Sequence, residues 1–313
     1  MDSITTSGRS SLICRRSGWY IPLVMQGDPV PAAKRATADV RKALLSSRNA
    51  DGGWGYYPGK ASRLEPTAWA LLALNESPAP LKNWRLQGSW RVDVAGAPIN
   101  YAFQALSGLV LLHQAEYVQD ASAIARSLLD IKGVSFEQTD AIRQDNSLQA
   151  WPWIDDTFSW VEPTALALLL IKKCRGGLPA SAAERIAVGE RMLIDRVCAG
   201  GGWNYGGSNV FGQDLLPYVP TTAWGVLALQ DRPQEPALVR SLARLPQDAT
   251  TEPTAQALAL AVLALRVAGK PDPAITAALL GEAARAMTLQ HNVGLALTLY
   301  VLEDRTRGRA FAI

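Results

Sequence analysis

The stretch Trp54-Gly-Tyr-Tyr-Pro-Gly-Lys-Ala-Ser62-Arg-Leu-Glu65-Pro66-Thr67-Ala68 lies without a gap on Trp151-Pro-Trp-Ile-Asp-Asp-Thr-Phe-Ser159-Trp-Val-Glu162-Pro163-Thr164-Ala165. A third copy, Glu252-Pro253-Thr254-Ala255, opens another apolar run. A fourth is degenerate: Gly200-Gly201-Gly202-Trp203 leads through a longer loop to Pro220-Thr221-Thr222-Ala223. Such self-similarity means one supersecondary unit used repeatedly, each copy burying its apolar face on its neighbours.

Each copy runs into an Ala/Leu-rich segment of about three turns, the pattern of a helix buried on most of its surface. The apolar runs are Glu65–Asn75, Asn100–Gln114, Glu162–Cys174, Pro220–Asp231, Glu252–Gly269 and His291–Asp304. Between them lie amphipathic segments with apolar residues three and four apart: Ala36–Arg48, Gln119–Ile131, Ser181–Val197, Gln234–Leu245 and Pro271–Leu289, with a weaker one at Ala79–Gln87. Helices apolar nearly all round must be surrounded. Six of them inside six amphipathic ones predict an all-α fold, an (α/α)6 toroid over residues 36–304. Residues 1–35 are left as an N-terminal extension and 305–313 as a basic tail. Pro66, Pro163 and Pro253 are expected at the first helical position, where the missing N–H costs nothing.

Composition narrows the function classes. The 313 residues are 48% hydrophobic and 19% charged, which excludes a disordered chain and a collagen-like repeat. Basic and acidic residues number 31 and 28, a net +3 without any basic stripe, so no nucleic-acid partner is expected. Cys14, Cys174 and Cys198 are odd in number and irregularly spaced, and His113 and His291 are the only histidines; neither a disulfide framework nor a histidine-rich metal centre follows. The apolar stretch Trp19–Met25 follows Arg9, Arg15 and Arg16 but is short and broken by Pro22, a poor signal core. No run reaches the roughly 18 apolar residues that span a bilayer. A cytoplasmic protein is expected, with peripheral membrane contact through Arg305, Arg307 and Arg309 of the tail as an alternative.

The sequence Asp51-Gly52-Gly53-Trp54-Gly55 before a Thr-Ala-opened buried helix resembles the repeat of squalene and other terpenoid cyclases and of protein prenyltransferase β-subunits. It looks like the end of the cyclases' QW motif, with Arg48, and Arg196 in another copy, where that motif has glutamine. The resemblance spans roughly residues 36–304 and implies the α/α toroid. It also implies a class II cyclase activity, in which an acid opening an inner helix protonates a linear isoprenoid. The cyclases' acid is the middle aspartate of a DxDD-Thr-Ala stretch, so Glu65, Glu162 or Glu252 would hold its place, with the flanking aspartates missing and Glu162 the first candidate. Class II cyclases resemble two such domains packed together; either a small substrate fits one toroid, or a second domain or second copy of the chain completes the site. A prenyltransferase would need converging zinc ligands. Asp195 and Cys198 lie on an outer helix with no histidine in reach, so no metal is expected.

In a toroid the starts of the inner helices gather at one mouth, in the order Glu65, Asn100, Glu162, Pro220, Glu252 and His291. Glutamate there has a plain structural role, accepting free backbone amides. His291, falling between Glu252 and Glu65, could orient a carboxyl proton or simply cap its helix. Asp155-Asp156-Thr157 looks like a DDT core but aligns with the loop residues Gly59-Lys60-Ala61. It reads best as a polar turn, with a protonating acid or a weak Mg²⁺ site as alternatives. Ligand-lining candidates are Trp54, Trp69, Asn100, Tyr101, Phe103, Trp153, Trp160, Trp203 and Trp224; the loop tryptophans have an equally good role as wedges between helices. Two other functions remain open: a carbohydrate-active α/α barrel using paired carboxylates, and a non-catalytic toroid binding a lipid, an isoprenoid or a protein.

Overall fold

The computed structural model describes residues 29–137, 139, 142–251, 253–303 and 310–313. Glu252, tail residues 305–309 and most of the expected N-terminal extension fall outside them. Twelve α-helices account for most of the described chain. The first six are α1 (Pro29–Ser46), α2 (Leu64–Leu74), α3 (Ala79–Lys82), α4 (Tyr101–Leu111), α5 (Val118–Leu128) and α6 (Val161–Cys174). They are followed by α7 (Ser181–Asp195), α8 (Val219–Ala228), α9 (Pro236–Thr251), α10 (Ala255–Val267), α11 (Pro273–Leu289) and α12 (Asn292–Glu303). The all-α expectation is met, and two antiparallel ladders of two residues per strand are confined to loops.

The even-numbered helices are the expected apolar runs. In α2 every residue but Glu65 is buried, and α8 and α12 are nearly as enclosed. Helix α2 packs on α4, α4 on α6, α6 on α8, α8 on α10, α10 on α12 and α12 back on α2, so the contacts close into a cycle. The odd-numbered helices bury one stripe against its outside: α5 lies against α4 and α6, α9 against α8 and α10, α11 against α10 and α12, and α1 against α11 and α12. The apolar surface of the even helices is thereby kept out of water on all sides.

Three loops are built around a tryptophan in the same way. Trp54, Trp151 and Trp203 are fully buried. Each indole N–H donates to a carbonyl in or near the last turn of the preceding outer helix: Leu44 at 2.8 Å, Leu128 at 2.8 Å and Leu193 at 2.7 Å. Each backbone N–H donates to a threonine hydroxyl of the following inner helix, Thr67, Thr164 or Thr222. Each backbone carbonyl accepts the N–H of the residue capping that helix, Arg63, Trp160 or Tyr218. Guanidinium groups cover two of the rings, Arg48 over Trp54 at 4.8 Å and Arg185 over Trp151 at 4.4 Å. Glycine makes room for two of the rings: a Cβ at Gly225 would stand 2.5 Å from the Trp203 ring, and one at Gly189 would stand 2.7 Å from Trp151.

Trp54 and Trp203 are therefore wedges, spent on helix ends with no surface left for a ligand, which corrects their place among the lining candidates. Arg196 does not cover a tryptophan. It is buried and ties the Gly206 and Asp145 carbonyls, and the residue over Trp151 comes instead from the middle of α7.

Several boundaries also move. Helix α1 begins at Pro29, seven residues before the expected Ala36. Helix α9 runs on through Pro246 to Thr251 because Leu245 and Ala249 continue its buried stripe. The segment 79–87 makes a single turn before the Leu86–Gln87 strand pairs with Trp90–Arg91 across Gly88 at φ 61°. Pro66 and Pro163 are the third residues of their helices, still among the amides without an intrahelical acceptor. Pro253 precedes α10, whose cap is Thr254, accepting from the Ala257 N–H at 3.2 Å.

Candidate functional site

Five inner helices are tied together where they begin. The first N–H groups of α12, α4 and α6 each donate to the carbonyl two residues beyond a wedge tryptophan of the next repeat: Asn292 to Tyr56 (2.9 Å), Tyr101 to Trp153 (2.9 Å) and Val161 to Tyr205 (2.8 Å). The first N–H of α2 donates to Asp93 Oδ1 at 2.8 Å, and Tyr218, which caps α8, packs on Tyr205 at 5.2 Å. This exchange brings Tyr56, Trp153 and Tyr205 to the end of the cycle where Glu65 and Glu162 stand.

Those glutamates occupy the second position of α2 and α6 and are partly buried. Burial pushes the Glu162 carboxyl up to about 8, the Glu65 charge adds to the rise, and a hydrogen bond with the Trp224 side chain works against it. Burial likewise lifts Glu65 to about 7; the Tyr56 hydroxyl, donating at 2.7 Å, lowers it, and Asp93 raises it. Tyr205 is pushed up by burial and then by the Glu162 charge. Two carboxyls that feel each other across the cycle cannot both ionise cheaply near neutrality, so the pair retains a proton there.

The other candidates separate into two groups. Trp153 is half-buried and stands edge-on to half-buried Phe103 at 6.0 Å; Trp160, also half-buried, stacks on Phe158 at 4.5 Å. Trp69 and Trp224 are 2% exposed and lie 6.1 Å apart. Their helices are three places apart in the cycle, so the pair crosses its centre, beneath the carboxyl that Trp224 bonds. Tyr101 is buried, and its hydroxyl donates to Asp155 at 2.5 Å.

One expectation needs correction, and two open readings resolve toward their structural alternative. Asn100 caps α4, its Oδ1 accepting from the Phe103 N–H at 3.0 Å, so its side chain serves the helix rather than a ligand. His291 makes no acid–histidine pair with Glu65. Its Nδ1 faces the Gly294 N–H at 3.4 Å, and its ring stacks on Tyr56 at 6.1 Å, which puts Tyr56 between the two. Burial lowers its pKa, which leaves a neutral imidazole at pH 7. Asp155 and Asp156 are exposed in a turn, Asp156 at φ 59°, and the groups that act on Glu162 are Glu65 and Trp224. Among the described residues no three His, Cys, Asp or Glu gather as metal ligands. Glu252 lies outside the described residues.

The sequence did not single out Tyr56, Tyr205, Tyr218, Phe158 or Asp93. Their signal was present for Tyr56, Trp153 and Tyr205, each two residues after a wedge tryptophan. Tyr56 and His291, with Tyr57, Lys60, Ala61 and Arg63, line a recess of about 500 Å³. Phe311, part of the tail given peripheral membrane contact as an alternative, is fully buried against Trp69, Trp224 and Tyr300, so the tail's apolar end is not available to a membrane. No helix among the described residues is long and apolar enough to cross a membrane.

No protein-family model matches the chain, and no curated protein matches it. Among solved structures it is similar to a protein from Actinoplanes, with 16% identity and a TM-score of 0.48 over 91% of this chain and 100% of that one. It is also similar to variants of the type II terpene cyclase MstE from Scytonema. The apo form shares 14% identity at a TM-score of 0.48, over 85% of this chain and 80% of the cyclase. The form in complex with its substrate geranylgeranyl dihydroxybenzoate shares 14% identity at 0.47, over 85% and 81%.

Proposed function

We propose that the chain is an (α/α)6 toroid of the class II terpenoid-cyclase kind, which admits a linear isoprenoid between its inner-helix starts and begins cyclisation by proton transfer from Glu162. The observation that carries this reading is the placement of Glu162 at the start of an inner helix close to Glu65, Trp224 and Tyr205, where burial and the Glu65 charge push its carboxyl up to about 8. Such a carboxyl keeps its proton at neutral pH and has it available to give.

In the proposed step the Glu162 O–H bond breaks and a C–H bond forms at one carbon of an alkene, whose π pair supplies the electrons. The adjacent carbon becomes cationic, further alkenes attack it in turn, and loss of a proton yields a cyclic product of unchanged mass. An alkene is a very weak base, so the cation needs help: the faces of Trp153, Trp160 and Phe103 offer it, and Glu65 supplies negative charge nearby. Tyr56 favours that ionised form of Glu65 by donating to it. The step uses no cofactor and no Mg²⁺. Tyr205, Tyr218 and Phe158 are exposed, so the reading includes a further domain or a second copy of the chain covering this end to exclude water.

The test is mass-spectrometric product analysis of the purified protein with linear isoprenoids, from farnesyl and geranylgeranyl diphosphates to squalene. A product of substrate mass that disappears in Glu162→Gln supports the reading. Loss of diphosphate, or no turnover from folded protein, sinks it. A non-catalytic interaction toroid is the second reading, favoured by how completely Trp69, Trp224 and Phe311 fill the centre; folded protein that neither retains nor turns over any isoprenoid would select it.

A further inference from the structure

The recess beside Tyr56 is used neither by the wedge tryptophans nor by the proposed proton transfer. It holds about 500 Å³, inside the range of about 300–1,000 Å³ common for ligand sites, and lies where α2 and α12 begin. Lys60 and Arg63 line it and no acid does; Tyr56 gives it only a ring, since its hydroxyl is committed to Glu65. Elsewhere the cations are occupied: Arg48, Lys82, Lys172, Arg196 and Arg244 each hold a carboxylate within 3.0 Å. Arg63 reaches Asp93 only at 3.8 Å, and Lys60 pairs with no acid among the described residues. The repeat does not call for the arginine either, because Trp160 and Tyr218 cap the equivalent helices. The loop that carries Lys60 is fixed in place. The Lys60 carbonyl accepts from Asn49 Nδ2 at 2.9 Å, its N–H donates to the Tyr57 carbonyl at 3.2 Å, and a Cβ at Gly55 would stand 2.5 Å from the Lys60 carbonyl. Asn292 of α12 holds the Gly55 carbonyl at 2.8 Å, so the walls are formed without a ligand.

We propose that this recess is a binding site for a phosphate monoester, its phosphoryl group between Lys60 and Arg63 and its organic group against the Tyr57 and His291 rings. The two cations suit that group: the guanidinium offers a planar fork to two oxygens, and the ammonium offers a compact charge. A phosphate monoester brings about −1.5 to −2 charges near neutral pH, enough to engage both, whereas a carboxylate brings one. Tyr57 is 48% exposed, and its ring stands 5.3 Å from His291 at 57°, so the two rings form an open corner rather than a closed stack. Glu65 and Asp93 are held by the Tyr56 hydroxyl and the Leu64 N–H and stand outside the lining. The site is independent of the Glu162 step and stands if that step fails.

The chain has two histidines, and only one of them can report on the recess. His291 lines it, while His113 follows α4 at the opposite end of the inner helices. The full chain with labelled histidine is titrated with phenyl phosphate, inorganic phosphate and phenol, and the imidazole NMR signals are followed. Phenyl phosphate is expected to move the His291 signals saturably, to leave those of His113 in place, and to bind more tightly than either of the other two. Lys60→Ala and Arg63→Gln are each expected to weaken it about tenfold or more, since each removes a charged hydrogen bond. Thermal melts report folding, and Arg63→Lys, which keeps the charge and loses the fork, is expected to fall between the native chain and Arg63→Gln. His291 signals that do not move overturn the proposal. So does equal affinity for phenyl phosphate and inorganic phosphate or phenol, or an affinity unchanged in either the Lys60 or the Arg63→Gln variant.

Discussion

Trp151 and Trp153 are two residues apart on one loop, yet they belong to different layers of the molecule. Trp151, with Trp54 and Trp203, lies in a layer where each indole N–H is bonded to a helix carbonyl and the rings are fully enclosed. Trp153 passes its carbonyl to the start of the neighbouring helix and leaves its half-buried ring beside Phe103 near the carboxyl pair. The first layer joins one repeat to itself, and the second joins it to the next. Residue type does not tell them apart; the destination of the N–H and the remaining exposure do.

The sharpest way to break this contrast is to truncate both rings. Trp151→Ala is expected to cost on the order of 3–5 kcal/mol in urea unfolding, because it leaves a cavity beneath Arg185 and removes one of the two donors to the Leu128 carbonyl. Trp153→Ala is expected to cost far less stability and to weaken ligand binding. Equal losses at the two positions would erase the distinction.

Filling the space that a wedge occupies should come next. Gly225→Ala drives a Cβ to within 2.5 Å of the Trp203 ring, and an overpacking penalty of about 1–3 kcal/mol is expected in the same assay.

In the carboxyl layer the expected effect is on pH dependence. The native state holds Glu65 up to about 7 and Glu162 up to about 8 in their protonated forms, whereas an unfolded glutamic acid loses its proton near its ordinary value. Between those values the folded chain binds more protons than the unfolded one, so stability falls as pH rises, by at most about 1.4 kcal/mol per pH unit for each group. Glu162→Gln should flatten the upper part of that fall, read from denaturation at pH 5 to 9; an unchanged slope would contradict the assignment. Activity, if initiated by this acid, should drop as pH rises through about 8.

The smallest effect expected is that of Trp224→Phe, which removes the hydrogen bond opposing the rise of the Glu162 pKa and should move that limb to higher pH without unfolding the protein. A limb that stays in place would place the proton elsewhere.

Much of the architecture was legible because the repeat writes its wedge and its helix start in one ungapped stretch, Trp54 to Ala68 and Trp151 to Ala165. The limits of that legibility show at Glu252-Pro253-Thr254-Ala255. The same four residue types stand at Glu65–Ala68, where Thr67 gives its hydroxyl to the backbone of Trp54. No wedge tryptophan precedes Thr254, so its hydroxyl turns to its own helix as a cap, and α10 begins three residues later than the copy suggests. Glu65 and Glu162 could be read as candidates because the repeat aligns them. Tyr56 as a partner of Glu65, Arg185 over Trp151 and Phe311 in the centre could not, since each meets its neighbours through a closure that local periodicity does not encode.

That closure has a seam. Asn292, fully buried at the start of the last inner helix, accepts from Ser47 and donates to the Gly55 carbonyl, while its own N–H reaches Tyr56. These bonds join positions more than two hundred residues apart in sequence, so they are among the least local contacts in the fold, and contacts of that kind slow folding. Refolding should therefore be slow and its last step sensitive to Asn292: Asn292→Ala is expected to leave early helix formation intact by circular dichroism and to slow the final phase, as a clasp fastened after the band is already around the wrist.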